Sequence, residues 1–196
     1  MADRETLDVY AARAAEYDKI PPSNTQDAAL AGFLARLAPG AHILDLGCGP
    51  GLHAGQMMAE GFTVTAHDAT PAFVEAARAR GVDAHLARFD DLDAAAAFDA
   101  IWASFSLLHA AKADFPRHLT ACHRALRPGG IFFLGMKLGQ GEIRDDLGRF
   151  YSLYSEAELR AALADAGFSV TEAVTGEGAG LAGTVDAFVL ITARRS

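Results

Sequence analysis

Nowhere does this chain run for about 18 consecutive apolar residues, so no segment reads as a membrane-crossing helix. Its first stretch, MADRETLDVYAARAAEYDKI, is amphipathic and acidic and has no apolar core of the secretory-leader type. Cysteine is scarce: Cys48 and Cys122 stand far apart in no C-x-x-C or zinc spacing, which excludes a disulfide framework and suits reduced thiols in a cytoplasmic protein. Basic charge is also thin. Lys and Arg total 17 against 25 Asp and Glu, for a formal net charge of −8, and they are scattered, which points away from nucleic acid. His118 and His123 fall five apart, off the four-residue spacing of a helical zinc pair, so no metal is expected.

What is present is ordinary globular material, 51% hydrophobic and 21% charged, enough for one domain with its own core. Helical patterns cover 5–18 and 25–37, separated by a loop at Ile20-Pro21-Pro22-Ser23-Asn24. Strands and helices then alternate: strand 41–46, helix 52–60, strand 62–67, helix 71–80, strand 83–87, strand 99–103, helix 114–126, strand 130–136. HILDL, DAIWA and GIFFLG are nearly continuous apolar runs, as strands covered on both faces should be. GQGEIRDDLGRFYSLYS reads as a loop, and Ser155 with Glu158 forms a capping box for a helix running to Asp165. FSVTEAV and TVDAFVLITA, joined by GEGAGLAG, read as two antiparallel edge strands. The prediction is an α/β fold: a Rossmann-like, doubly wound, mostly parallel sheet with an antiparallel C-terminal edge hairpin and helices on both faces. It is read as one domain over 1–196. Residues 1–38 form N-terminal helices, 41–137 a cofactor-binding core, and 138–196 a substrate loop, helix and strand pair.

The stretch AHILDLGCGPG, Ala41 to Gly51, is the most informative. A strand, a glycine turn and a helix bring backbone close to a ligand, because glycine permits the turn and removes the Cβ that would block approach. The dinucleotide fingerprint needs a third glycine three residues after the second, where this chain has Leu52, and no Lys-Ser or Lys-Thr follows for a triphosphate loop. Asp45 beside the turn would repel a pyrophosphate and favour an ammonium or sulfonium. Asp68, just past the second strand, is placed to accept hydrogen bonds from both hydroxyls of a ribose. S-adenosylmethionine, with an adenosine, a sulfonium and an amino acid but no phosphate, meets these requirements.

ILDLGCGPG resembles the glycine motif of the class I methyltransferases that use this cofactor. In the same order, TVTAHDATPAF looks like their ribose-binding strand end and ARFDDL like their adenine-contacting turn. FDAIWASFSLLHA looks like their fourth strand and LRPGGIFFLGMK like their fifth. The resemblance covers nearly the whole chain. YAARAAEYDK and the loop after the fifth strand are further similar to small bacterial methyltransferases of the tellurite-resistance and ubiquinone type. The resemblance implies a methyltransferase that takes S-adenosyl-L-methionine, releases S-adenosyl-L-homocysteine and methylates a small molecule. It implies that Gly47, Cys48 and Gly49 approach the methionyl part, with Asp45 near its amino group and Asp68 and Ala69 at the ribose. For the adenine it leaves Phe89, Asp90 and Asp91 competing, with Arg88 standing where many members have the acid, and Phe89 and Asp90 are favoured; it also implies Ser104 near the methyl group and Tyr17 with Tyr10 in a lid.

Methyl transfer from a sulfonium needs alignment and exclusion of water more than side-chain chemistry, and a base only when the nucleophile arrives protonated. His109, after the fourth strand, is the candidate base; the alternative is a half-buried capping histidine. Tyr10 and Tyr17 lie two helical turns apart on one face, as a lid or as packing against the sheet. Arg144 and Arg149 could clamp an anionic acceptor, or pair with Asp145 and Asp146 in a solvated loop. Trp102 reads as core or pocket wall, and Cys48 as packing rather than a nucleophile. Two rival functions stand beside the methyltransferase. One is a cofactor-binding regulator without turnover; the other is a nicotinamide-dependent oxidoreductase, which Leu52 and Asp45 oppose.

Overall fold

A computed structural model describes residues 3–20, 23–179 and 183–196. Along the chain run α1 (Arg4–Ala12), α2 (Ala14–Tyr17), α3 (Asn24–Leu34), β1 (His42–Leu46), α4 (Leu52–Ala59), β2 (Thr63–Asp68), α5 (Pro71–Ala79) and β3 (Asp83–Leu86). They are followed by β4 (Phe98–Ser104), α6 (Phe115–Ala125), β5 (Leu126–Lys137), β6 (Glu142–Arg144), β7 (Phe150–Ser152), α7 (Glu156–Asp165), β8 (Phe168–Ala179) and β9 (Val185–Arg195). One seven-stranded sheet has the order β3-β2-β1-β4-β5-β9-β8, parallel from β3 to β5 and antiparallel from β5 to β8. The chain therefore starts mid-sheet at β1, winds outward to β3, and crosses back to β4. That reversal leaves a crevice at the carboxyl ends of β1 and β4, the usual ligand position in such sheets.

Successive residues of β1 show why its sequence is an unbroken apolar run. Ile43 packs among Phe33, Met57 and Trp102 on one face, and Leu44 among Ile101, Phe132 and Leu119 on the other. Each strand residue has a hydrophobic layer to enter, whichever way it points. Trp102 is fully buried, its ring stacked on Phe133 at 3.8 Å between centroids, which settles it as core. Its indole N–H donates to His53 Nδ1 at 3.3 Å.

The sequence patterns locate the parallel strands and their helices to within a few residues, and the structure departs from them at three places. The first helix breaks at Arg13, whose φ of −110° and ψ of 12° leave helical geometry, and α1 and α2 fold toward each other so that Tyr10 and Tyr17 meet edge to face at 5.7 Å. The expected loop 139–155 contains a small antiparallel ladder pairing Glu142 with Ser152 and Arg144 with Phe150, too short for its alternation to register as a period. The C-terminal strands reach further into GEGAGLAG than expected, with Gly176 and Gly178 still paired in the ladder. Gly176 is a packing requirement there, since a Cβ would meet the Phe188 ring at 2.7 Å. Gly180, Leu181 and Ala182 of that segment, and Pro21 and Pro22 of the earlier loop, lie outside the described residues.

Candidate functional site

A cavity of about 570 Å³ opens at the carboxyl ends of β1, β2 and β4, beneath α1 and α2, within the ~300–1,000 Å³ typical of small-molecule sites. Its floor is the turn between β1 and α4. Gly47, Gly49 and Gly51 have φ of 80°, 54° and 84°, the left-handed region that glycine enters without penalty. The N–H groups of Gly47 and Cys48 both donate to the His67 carbonyl, at 2.8 and 3.0 Å, pinning the turn to the end of β2. A Cβ at Gly47 would collide with the Ser106 side chain, and one at Gly49 would reach the Tyr17 ring at 3.7 Å.

Asp68 ends β2 and lines this floor. One carboxylate oxygen accepts from Gly49 N–H at 2.9 Å and the other from Thr70 N–H at 2.8 Å, with the Thr70 hydroxyl and the Ala69 N–H adding to the carboxylate's hydrogen bonding. Burial raises its pKa above the ordinary carboxylate value. Asp45 sits behind the turn rather than on the cavity wall, 2% exposed, with Oδ2 lacking any hydrogen-bond partner. Burial, with the nearby charge of Asp68, pushes it up to about 8. A buried, unpartnered carboxyl calls for a donor or a cation. Burial and these two carboxylates raise the Cys48 thiol as well, which fits packing rather than nucleophilic chemistry.

Ala69, Phe89, Ser104 and Tyr17 also line the cavity. The buried side-chain atoms without partners include Ser104 Oγ, His53 Nε2 and His67 Nδ1, all on cavity-lining residues. Asp90 does not join them. In the single 3₁₀ turn Phe89–Asp91, Phe89 borders both the cavity and a neighbouring groove, its ring 5.6 Å from that of His118, whereas Asp90 lines only the groove, where its carboxylate meets Arg117 at 2.7 Å and His118 at 3.6 Å. Ala87 and Arg88 of this segment line the cavity beside Phe89.

The other half of the cavity is bounded by α1, the segment after β4, the end of β5 and β7. Tyr10 and His109 meet here, Oη to Nε2 at 2.9 Å, and His109 Nδ1 lies 2.6 Å from the Phe150 carbonyl. Burial lowers His109 to about 4, with the neighbouring Arg149 and Lys137 charges acting in the same direction. Arg149 is 3% exposed; it donates to Asp145 at 2.6 Å through Nη2 and to Tyr10 Oη at 3.2 Å through Nη1. Arg144 is the correction here. Its guanidinium binds both oxygens of Asp3, at 3.0 and 2.8 Å, and pairs with Glu5 at 3.2 Å, so it fastens α1 to β6 and is absent from the cavity wall. The hairpin fold separates the two arginines, sending one inward and one across the surface.

Lys137, Tyr151, Phe105 and Phe188 also line this half and escaped the sequence reading. Lys137 ends β5 and could have been found by the rule that ligand-facing residues follow the carboxyl ends of parallel strands. Phe188 sits on an antiparallel strand and carries no such signal. Phe105 adopts φ of 52°, an outlier for a bulky residue, held by its N–H donating to the Gly135 carbonyl at 3.0 Å. Among the described residues no group of three or more His, Cys, Asp or Glu is placed to hold a metal, and no helix is long and apolar enough to cross a membrane.

Residues 43–130 match the model of a methyltransferase domain. A ubiquinone biosynthesis O-methyltransferase of Xanthomonas oryzae pv. oryzae is 39% identical over 103 residues, 48% of this chain and 42% of that enzyme. The chain thus matches less than half the length of this relative. The fold superposes on a 1,6-didemethyltoxoflavin-N1-methyltransferase of Burkholderia thailandensis, solved with that molecule and S-adenosylhomocysteine, with a TM-score of 0.80 and 23% identity over 98% of this chain and 88% of the other. It also superposes on the N-methyltransferase NodS of Bradyrhizobium japonicum, solved with S-adenosyl-L-homocysteine, with a TM-score of 0.75 and 16% identity over 98% of this chain and 99% of that one. The glycine turn, the acid at the end of β2 and the matching domain model point the same way: residues 43–130 resemble a methyltransferase domain, and the fold is the one seen in the methyltransferases on which it superposes.

Proposed function

We propose that this protein transfers a methyl group from S-adenosylmethionine to a small-molecule acceptor, as a cytoplasmic enzyme that binds neither nucleic acid nor membrane. The observation that carries the reading is the floor of the cavity: left-handed glycines without side chains, backed by Asp45 and Asp68, with no Lys or Arg in the turn. The Asp68 carboxylate on the cavity floor repels a pyrophosphate and attracts an ammonium or sulfonium, and such a cation would favour ionising Asp45 behind it, which disfavours a nicotinamide cofactor. The bound cofactor supplies an activated methyl on a sulfonium.

In this reading Gly47, Cys48 and Gly49 give the methionyl part backbone contact, and Asp45, behind them, takes up the charge of its ammonium. Asp68, on the cavity floor beside Ala69, faces the ribose hydroxyls. Phe89 and Arg88 flank the adenine, and Ser104 lies toward the methyl group. Tyr17, over Gly49, closes the site against water, and Tyr10, His109 and Arg149 face the acceptor. The enclosed cavity and the relatives named for O- and N-methylation support a small acceptor.

Titration calorimetry with S-adenosylhomocysteine and with NAD tests the cofactor. Micromolar binding of the first and none of the second is expected; the reverse would overturn the assignment. A screen of small hydroxyl, amine and thiol acceptors with labelled cofactor then tests turnover, and failure across the panel would favour a regulatory protein that keeps the cofactor alone.

A further inference from the structure

Alignment and exclusion of water suffice for methyl transfer to an already ionised acceptor, yet the acceptor half holds a hydrogen-bonded chain with a definite polarity. The Phe150 carbonyl can only accept, so His109 Nδ1 carries the ring proton and Nε2 offers its lone pair. Tyr10 Oη, 2.9 Å from Nε2, must then donate to it. Oη accepts from Arg149 Nη1 at 3.2 Å, its other lone pair faces the Tyr151 hydroxyl, and both tyrosines line the cavity, so an acceptor would take the place of Tyr151 there. The chain therefore runs from an acceptor position on a phenol, shared with the Tyr151 hydroxyl, through that phenol's proton, to an unprotonated imidazole nitrogen.

The charges around it are matched. Arg149 pairs with Asp145 at 2.6 Å, and Lys137 pairs with Asp186 at 2.6 Å while standing over the Tyr151 ring at 4.3 Å. Tyr151 packs against the His109 ring at 4.7 Å. Each cation that faces the Tyr10–His109 pair already has a carboxylate, so no unneutralised cation awaits an anion. Phe105 and Phe188, edge to face at 5.9 Å, add apolar wall.

We propose that Tyr10 accepts the proton of a neutral O–H or N–H acceptor and passes its own proton to His109 Nε2, so that the substrate class is an uncharged, protic small molecule. The inference rests on the methyl-transfer reading above. The acceptor heteroatom forms its bond to the methyl carbon as the carbon–sulfur bond breaks and its electron pair goes to sulfur. The acceptor's proton moves to Tyr10 Oη, and the Tyr10 proton moves to Nε2, leaving an imidazolium whose Nδ1–H still donates to Phe150. A buried histidine flanked by Arg149 and Lys137 is a weak base at rest. It serves here because a heteroatom that has just gained a methyl group is a strong acid until its proton leaves. Tyr10 touches the acceptor; His109 acts through it.

The probes are 4-nitrophenol, neutral near about pH 6, and 4-nitrobenzoate, anionic there, each added to the protein saturated with S-adenosylhomocysteine. The neutral probe should bind at least about tenfold more tightly and keep the phenol absorbance. Tyr10→Phe should lose that preference while S-adenosylhomocysteine binding and thermal melting hold. His109→Gln, whose amide oxygen still accepts from Tyr10 but is no base, should keep probe binding. It should slow single-turnover methylation of 4-nitrophenol by about a hundredfold. In the wild-type protein, imidazole ¹⁵N shifts should show His109 protonated at Nδ1 alone, a readout independent of any variant. Preference for the benzoate, absorbance of a bound phenolate, neutral-probe binding untouched by Tyr10→Phe, or wild-type-like turnover in His109→Gln would each overturn the relay while cofactor binding stood. Loss of S-adenosylhomocysteine binding by the wild-type protein would remove the underlying methyltransferase reading instead.

Discussion

The carboxylate of Asp68 accepts the backbone N–H of Gly49 at 2.9 Å, which joins the end of the second strand to the turn after the first. One side chain thus shapes the glycine turn and offers oxygens to the cavity. Asp68→Ala should weaken S-adenosylhomocysteine binding by about 1–3 kcal/mol, read by calorimetry, because it removes hydrogen bonds to a charged acceptor. An unchanged dissociation constant in a folded variant would remove Asp68 from the ribose assignment.

Asp45 gives a pH dependence of definite sign. The folded protein holds its proton up to about 8, whereas the unfolded chain releases it near the ordinary carboxylate value, so the folded state binds the extra proton between them. The stability this group contributes is complete in acid and falls as pH rises, by roughly 1.4 kcal/mol per pH unit at most, until the folded pKa is passed. Asp45→Asn should flatten that slope in urea unfolding followed from about pH 5 to about pH 8.5. A variant with the wild-type slope would show that another group carries it.

Phe105 should invert the usual ranking of alanine and glycine. At φ of 52° any Cβ is strained, and only glycine escapes. Phe105→Gly is therefore expected to be more stable than Phe105→Ala by about 1 kcal/mol in chemical denaturation, although both lose the ring. Equal stabilities would mean that the backbone relaxes out of the left-handed region once the ring is gone.

Arg144→Ala should separate the roof from the floor. Its contacts go to Asp3 and Glu5, so S-adenosylhomocysteine affinity is expected to change by less than about threefold, as for an exposed ion pair, while residues 3–12 become more open to protease. A loss of affinity matching that of Asp68→Ala would instead put this guanidinium in the cofactor's field.

The parallel core was legible because its signals are local: apolar runs for strands covered on both faces, Pro71 at the first turn of α5, and glycine at the left-handed positions after β1. Asp68, Gly47 and Gly49 came into view the same way, each tied to a strand end. The acceptor half was harder to read because its wall is assembled from segments far apart in sequence. Nothing near Arg144 reveals that Asp3 is its partner, and nothing near Arg149 reveals Tyr10. Asp90 and Phe89 are neighbours with the same resemblance behind them, yet only Phe89 reaches the cavity, while Asp90 pairs with Arg117 in the groove beside it. Phe188 lines the cavity only because β9 inserts between β5 and β8, a pairing that strand periodicity does not specify.

The first helix buries only Thr6 completely, and it is held by polar links: Asp3 to Arg144, Thr6 Oγ1 to the Phe150 N–H at 2.8 Å, and Tyr10 to His109 and Arg149. Water can take the place of each such link as it breaks, whereas the sheet beneath cannot part without exposing its apolar layers. The molecule therefore has two thresholds of opening. Over the acceptor it can unlatch and exchange its amide hydrogens many times before the platform that grips the cofactor begins to melt.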